Sequence, residues 1–190
     1  METDKAYIRK SVLKARDAMS AMDRRRGNIL LTERIVGHQW FYRSEVLLCF
    51  VSFGSEIDTG EIIREALRVK KSVYVPKVIR GTEVPEMRFY RISSLEELQE
   101  GYGGILEPSG TSEEFLYEEE GVGRVLMLMP GVAFDRFRGR IGYGKGFYDR
   151  FLHDKPLLGQ RTIGIGYQCQ LVEELPMSEY DVRPYQVICV

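Results

Sequence analysis

Residues 125–151 read VLMLMPGVAFDRFRGRIGYGKGFYDRF. The first five are a continuous apolar run of strand length, the pattern of a strand covered on both faces. A glycine-rich segment follows, then a helix expected over 146–154. Working outward, the same alternation recurs. Helices are expected over 4–19 and, from a Ser20–Asp23 capping box, over 20–38. A buried strand is expected over 45–53, then a helix over 59–70 opened by Asp58 and Glu61. Strands are expected over 72–78, broken at Pro76, and over 87–92, followed by a short helix capped by Ser94 and Glu97. An irregular connection covers 101–123, and strands return at 162–166 and 186–190. Strands that alternate with helices at crossover spacing predict an α/β fold. The expectation is a single domain over 1–190 with a largely parallel central sheet and helices on both faces.

Composition bounds the function. The chain has 190 residues, 44% hydrophobic and 29% charged, with a net charge of -1. Disordered, collagen-like and coiled-coil classes are excluded by that balance. A nucleic-acid coat protein would carry a positive excess, so RNA binding through Arg24, Arg25 and Arg26 is disfavoured. Cys49, Cys169 and Cys189 form no CxxC pair, and Cys49 and Cys189 read as small core residues. The first ten residues lack the apolar region of a signal peptide, and no apolar run reaches the roughly 18–20 residues of a membrane span. A cytoplasmic protein is expected.

The chemistry concentrates in the glycine segment. Gly139, Gly142, Gly144 and Gly146 let backbone N–H groups turn around an anion, with a helix N-terminus behind them. Arg136, Arg138, Arg140 and Lys145 add cations with no acid among them, and Asp135 and Asp149 flank the run. This suits a phosphate chain with Mg²⁺. The spacing matches neither GxxxxGK[ST] nor GxGxxG. Lys5 and Arg9 lie four apart on the first helix, beside an apolar stripe of Ile8, Val12, Ala15 and Met19, with Arg16 on the same flank. Their pattern alone favours cations that snorkel past a buried stripe, the alternative being a second phosphate contact. Glu56 follows a strand end, where ligands of parallel sheets collect, and can accept from a ring N–H or amino group; by position it reads equally as a loop acid near the start of the next helix. Asp149 and Asp181 are the metal candidates, each equally readable as a helix or turn acid. His38 and His153 stand alone, so no nucleophilic triad is proposed.

The segment from Met129 to Phe151 resembles the signature of the 5-formyltetrahydrofolate cyclo-ligase family. Lys5, Arg9, Arg16 and Ser20 are similar to that family's opening. So are SFGSEIDTGEII at 52–63, VPKV at 75–78, GILEP at 104–108 and the LP…YD pattern from Leu175 to Asp181. The resemblance implies ATP- and Mg²⁺-dependent conversion of 5-formyltetrahydrofolate to 5,10-methenyltetrahydrofolate, with release of ADP and phosphate. It implies ATP contacts at Lys5, Arg9 and Arg140 through Gly142, Tyr143, Gly144, Lys145, Gly146, Phe147 and Tyr148. Folate contacts fall to Val51, Glu56 and the overlapping Tyr143–Phe147 stretch, and Mg²⁺ to Asp149 and Asp181. Lys145 and Arg140 are the residues expected to stabilise the transferring phosphoryl group. The family often has a second Asp four positions after Asp181, where this chain has Tyr185, and some members have Arg in place of Tyr143. A monomer is expected, without nucleic-acid or membrane partners. The competing readings are another ATP-using phosphotransferase on a similar scaffold, or a non-enzymatic nucleotide-binding module.

Overall fold

The computed structural model describes residues 2–81 and 83–190. The helices are α1 (Glu2–Asp17), α2 (Ala21–Val36), α3 (Gln39–Arg43), α4 (Gly60–Arg68), α5 (Phe147–Leu152) and α6 (Pro156–Gly159). The first strands are β1 (Val46–Cys49), β2 (Ser72–Ile79), β3 (Glu86–Ile92), β4 (Gln99–Glu100) and β5 (Leu106–Glu107). They are followed by β6 (Val125–Met129), β7 (Ala133–Asp135), β8 (Arg140–Ile141), β9 (Thr162–Gly166), β10 (Leu171–Val172) and β11 (Gln186–Cys189).

The central sheet has six strands in the order β11-β9-β6-β1-β2-β3. All neighbours are parallel except β2 and β3, which pair antiparallel from Val73–Ile92 to Ile79–Glu86. Both faces are covered, which explains the unbroken apolar runs. Leu47 and Cys49 of β1 and Leu126 and Leu128 of β6 face the core beneath α2, α3 and α4. Leu48, Val125, Met127 and Met129 face the opposite core with Tyr148, Leu152 and Leu158 of α5 and α6. Truncating any of these fully buried leucines to alanine removes about 2–5 kcal/mol. Among the described residues no helix is long and apolar enough to cross a membrane.

This strand order creates the site. The chain leaves β1 towards β2 on one side, while β6 lies on the other side of β1. Connections diverge at the carboxyl ends of β1 and β6 and leave a crevice there.

Four expectations need correction. β2 runs through Pro76, which pairs with Phe89. The β1 ladder ends at Tyr74, so the proline's missing donor falls where the strand has only one neighbour. The segment after β6 is not one loop. Its first part is the β7–β8 hairpin, joined by β10 in a separate three-stranded sheet. Asp135 holds that turn by accepting from the Phe137 and Gly139 N–H groups at 2.8 and 2.6 Å, and Arg138 takes a left-handed φ of 65° within it. The 101–123 connection contains β5, which pairs antiparallel with β4 just before it.

The fourth correction concerns α1. Among its described side chains the buried ones are Lys5, Val12 and Arg16, whereas Ala15 is exposed. Ile8 and Leu13 pack only partly, with Val12, against Val132, Ala133, Ile141 and Leu175. The inward face of α1 is therefore largely cationic. Arg24 at the start of α2 closes the end of α1 by donating to the carbonyls of Arg16 and Asp17 at 3.0 and 2.9 Å, where a cation is favoured. Of the Ser20–Asp23 box only half forms: the Ser20 hydroxyl accepts from Asp23 N–H and also donates to its carboxylate. Asp58 caps α4 from one residue before the N-cap, accepting from Gly60 N–H at 2.8 Å.

Candidate active site

A cavity of about 390 Å³ opens at the carboxyl ends of β1 and β6. Phe50 and Val51 extend from β1 and Pro130 from β6 to form its floor. Every residue expected to contact ATP, folate or Mg²⁺ lines it: Lys5, Arg9, Val51, Glu56, Arg140, Gly142 to Asp149, and Asp181; Asp135, Arg136, Arg138 and Gly139 of the same segment do not, and the first three line a separate surface pocket. The structure brings them together from α1, the loop after β1, β8 with the glycine loop, α5, and the 178–181 turn. It also adds lining residues not singled out individually: Met87, Tyr102, Ile105, Glu107 and Ser178. Tyr102 meets Phe147 edge to face, centroids 5.9 Å apart, joining the β4–β5 segment to the glycine loop.

The cations do not snorkel. Lys5 is buried and ion-paired with Asp181. Arg9 donates from Nε to the Gly142 carbonyl at 2.8 Å. Burial pushes the Asp181 carboxyl up, but the Lys5 ammonium and the Ser178 hydroxyl and N–H outweigh it and hold it below its ordinary value. Arg140 is buried, donates to Asp149 Oδ1 at 2.7 Å and to the Pro130 carbonyl at 3.3 Å, and leaves its Nε without a hydrogen-bond partner. Lys145 is exposed at the loop tip; its carbonyl accepts from Arg150 at 2.8 Å.

The loop backbone depends on glycine at two points. Gly144 has φ of 92° and Gly146, the N-cap of α5, has φ of 64°, both in the region L-residues avoid. With six residues, α5 is shorter than the helix expected over 146–154. The case for an anion therefore rests on the side-chain cations and loop N–H groups rather than on a helix dipole. The unpartnered Arg140 Nε and the glycine cradle fit a phosphate chain.

Both metal candidates line the cavity, but each is engaged. Asp149 accepts from Arg140 and from Val182 N–H at 3.0 Å. Asp181 accepts from Lys5 and, at 2.6 and 2.8 Å, from Ser178 N–H and hydroxyl. Among the described residues, no group of three His, Cys, Asp or Glu side chains stands ready to hold a metal. This donor set fits Mg²⁺ that arrives with phosphate oxygens, not a preformed cage.

Glu56 closes a tight turn: its N–H donates to the Phe53 carbonyl at 3.1 Å and its Oε2 accepts from Phe53 N–H at 3.0 Å. Burial pushes its carboxyl above the ordinary value, against the opposing pull of the Phe53 N–H, Arg16 and Tyr143. Tyr143 is pushed up to about 12 by burial and by the neighbouring Glu56. His153 caps the end of α5 and His38 the start of α3, where its Nδ1 accepts from Trp40 N–H at 3.1 Å. Tyr185 packs on Trp40, centroids 5.3 Å apart, rather than in the cavity.

Comparison with known proteins gives one answer. The family model described as the 5-formyltetrahydrofolate cyclo-ligase family matches residues 1–190. A probable 5-formyltetrahydrofolate cyclo-ligase of Caenorhabditis elegans is 35% identical over 161 residues, 82% of this chain and 78% of that protein. The 5-formyltetrahydrofolate cyclo-ligase of Haemophilus influenzae is 28% identical over 189 residues, covering 99% of both chains. The solved 5,10-methenyltetrahydrofolate synthetase of Aquifex aeolicus superposes with a TM-score of 0.76 at 30% identity, covering 95% of this chain and 86% of the other. A synthetase of the same name from Mycoplasma pneumoniae gives 0.73 at 23% identity over 97% and 98% of the two chains, a likeness of fold.

Proposed function

This chain belongs to the 5-formyltetrahydrofolate cyclo-ligase family, and from that premise we propose that its cavity converts 5-formyltetrahydrofolate to 5,10-methenyltetrahydrofolate at the expense of ATP, with Mg²⁺, through a phosphorylated formyl group. The observation that carries the reading is the meeting, on one cavity, of a cationic glycine loop and an apolar wall that holds a carboxylate. Cations and loop N–H groups suit a triphosphate. Apolar side chains with Glu56 suit a flat heterocycle bearing N–H donors.

An N-formyl group is an amide, a poor electrophile with a poor leaving oxygen. In the proposed route the formyl oxygen attacks the γ-phosphorus, and the bond from phosphorus to ADP breaks. N10 then adds to the formyl carbon and loses its proton. The carbon–oxygen bond breaks and phosphate departs with that oxygen. The substrate supplies both nucleophiles, so the protein needs no nucleophilic side chain. Lys145 and Arg140 neutralise the transferring phosphoryl group, with Lys5 and Arg9 completing the triphosphate contacts alongside Gly142, Gly144, Gly146 and Tyr148. Val51, Glu56, Tyr143 and Phe147 hold the folate. Asp149 and Asp181 would hold Mg²⁺ that arrives with the nucleotide, and the ion would supply neutralisation of phosphate charge there. The test is the absorbance of methenyltetrahydrofolate formed from 5-formyltetrahydrofolate, with ATP and Mg²⁺ present or omitted. Product only with both supports the reading; product without ATP, or none, overturns it.

A further inference from the structure

We propose that Arg16 is a positioning residue for the folate side of the cavity: from α1 it fixes the Tyr143 phenol and the Ser55–Glu56 turn in a single arrangement before substrate enters. The proposal rests on the reading of Glu56 and Tyr143 as folate contacts.

Arg16 is 2% exposed, although it is a cation on a surface helix. Its Nη2 donates to the Tyr143 hydroxyl oxygen at 2.7 Å and its Nε to Ser55 Oγ at 3.0 Å. The Ser55 hydroxyl, having accepted from the guanidinium, donates its own proton to Asp17, and the Tyr143 phenol stands beside Glu56, each altering the other's ionisation. Two arms thus run outward from one buried cation, each leading to an acid. A guanidinium only donates, so both hydroxyls are locked with their protons pointing away from it. Tyr143 is still 49% exposed, so its ring is held at the cavity rather than buried in the core.

The arrangement also sets charge. The titratable groups facing Glu56 are Arg16 from α1, Tyr143 from the glycine loop and Tyr148 from α5. Arg16 is the only cation among these three, and it opposes the effect of burial on the Glu56 carboxyl. A residue that merely filled space would leave the protonation of Glu56 unchanged on removal.

Arg16→Met is expected to raise KM for 5-formyltetrahydrofolate by about tenfold with KM for ATP within about twofold. The acid limb of kcat/KM for the folate is expected to move up by about one pH unit, because the remaining environment favours the protonated carboxyl. Arg16→Lys keeps the charge but loses the fork, so it should restore the pH profile while KM stays raised. Equal changes in both KM values with an unmoved pH profile would overturn the proposal. If Arg16→Met does not fold, Tyr143→Phe breaks the next link and decides by the same two readings. Wild-type protein without cyclisation activity would overturn the functional reading instead. The Glu56 carboxyl, titrated by NMR in free wild-type and variant protein, would then judge the relay: an upward shift supports it and no shift overturns it.

Discussion

Glu56 is subject to opposed demands. Burial favours its protonated form, whereas a folate N–H partner needs the carboxylate. The folded chain keeps the Glu56 proton to higher pH than the unfolded chain. Its ionised form therefore costs stability above both values, and the cost disappears below the unfolded value of about 4.3. Glu56→Gln should melt no lower than wild type near about pH 7, with any gain fading as pH falls through that range. The same variant should lose folate affinity by about tenfold or more while ATP affinity changes by less than about twofold. Melting curves across pH and separate calorimetric titrations of the two ligands check both halves. A lower melting temperature at neutral pH, or equal loss of both ligands, contradicts the assignment. Lys145→Ala, at an exposed loop tip, should fold normally yet turn over at least about tenfold more slowly, since a charge-assisted contact to the phosphoryl group contributes about 1.4 kcal/mol or more. Steady-state kinetics with unchanged turnover would remove it from the mechanism. Glu56 and Lys145 stand out in the sequence because charge falls among glycines and strand ends. Arg16 does not: its partners Ser55 and Tyr143 lie 39 and 127 residues away, and no spacing rule reaches that far.

Elements whose pattern is one-dimensional were legible: β6 and β9 match their expected limits. Those that depend on distant partners were not. The β7–β8 hairpin is three and two residues long, too short for alternation to register, and α3 has only five residues. The inward face of α1 escapes hydrophobic periodicity, which assumes an apolar interior, because this helix turns Lys5 and Arg16 inward onto partners from the 178–181 turn and the glycine loop. Helix propensity misleads in the same way at Gly27 of α2. Alanine there gains about 1 kcal/mol in an isolated helix. Here its Cβ would stand 2.8 Å from the Tyr167 ring. That ring is 1% exposed and tied through its hydroxyl to Asn28 at 2.7 Å. Overpacking of about 1–3 kcal/mol should outweigh the gain, so Gly27→Ala is expected to lower the melting temperature. A rise would show that Tyr167 yields without cost.

At the scale of the whole molecule, the divergence of connections at β1 and β6 places the cavity, and no short motif specifies that sheet order. The same scale governs the metal. Asp149 and Asp181 come from separate segments and each already balances a cation, so the protein alone should show little Mg²⁺ affinity by calorimetry. Asp149→Asn should raise the Mg²⁺ needed for turnover. It should also lower the melting temperature, because the Arg140 side chain, 4% exposed, loses its ion-pair partner. Tight Mg²⁺ binding without nucleotide would point instead to a preformed site. The central claim is that this cavity passes the γ-phosphoryl group to the formyl oxygen before the ring closes. It is tested most directly by following that oxygen. With 5-formyltetrahydrofolate carrying a heavy oxygen isotope in its formyl group, the account predicts that the label leaves in inorganic phosphate, one atom for each methenyltetrahydrofolate formed. Unlabelled phosphate, with the heavy oxygen lost to water, would contradict it.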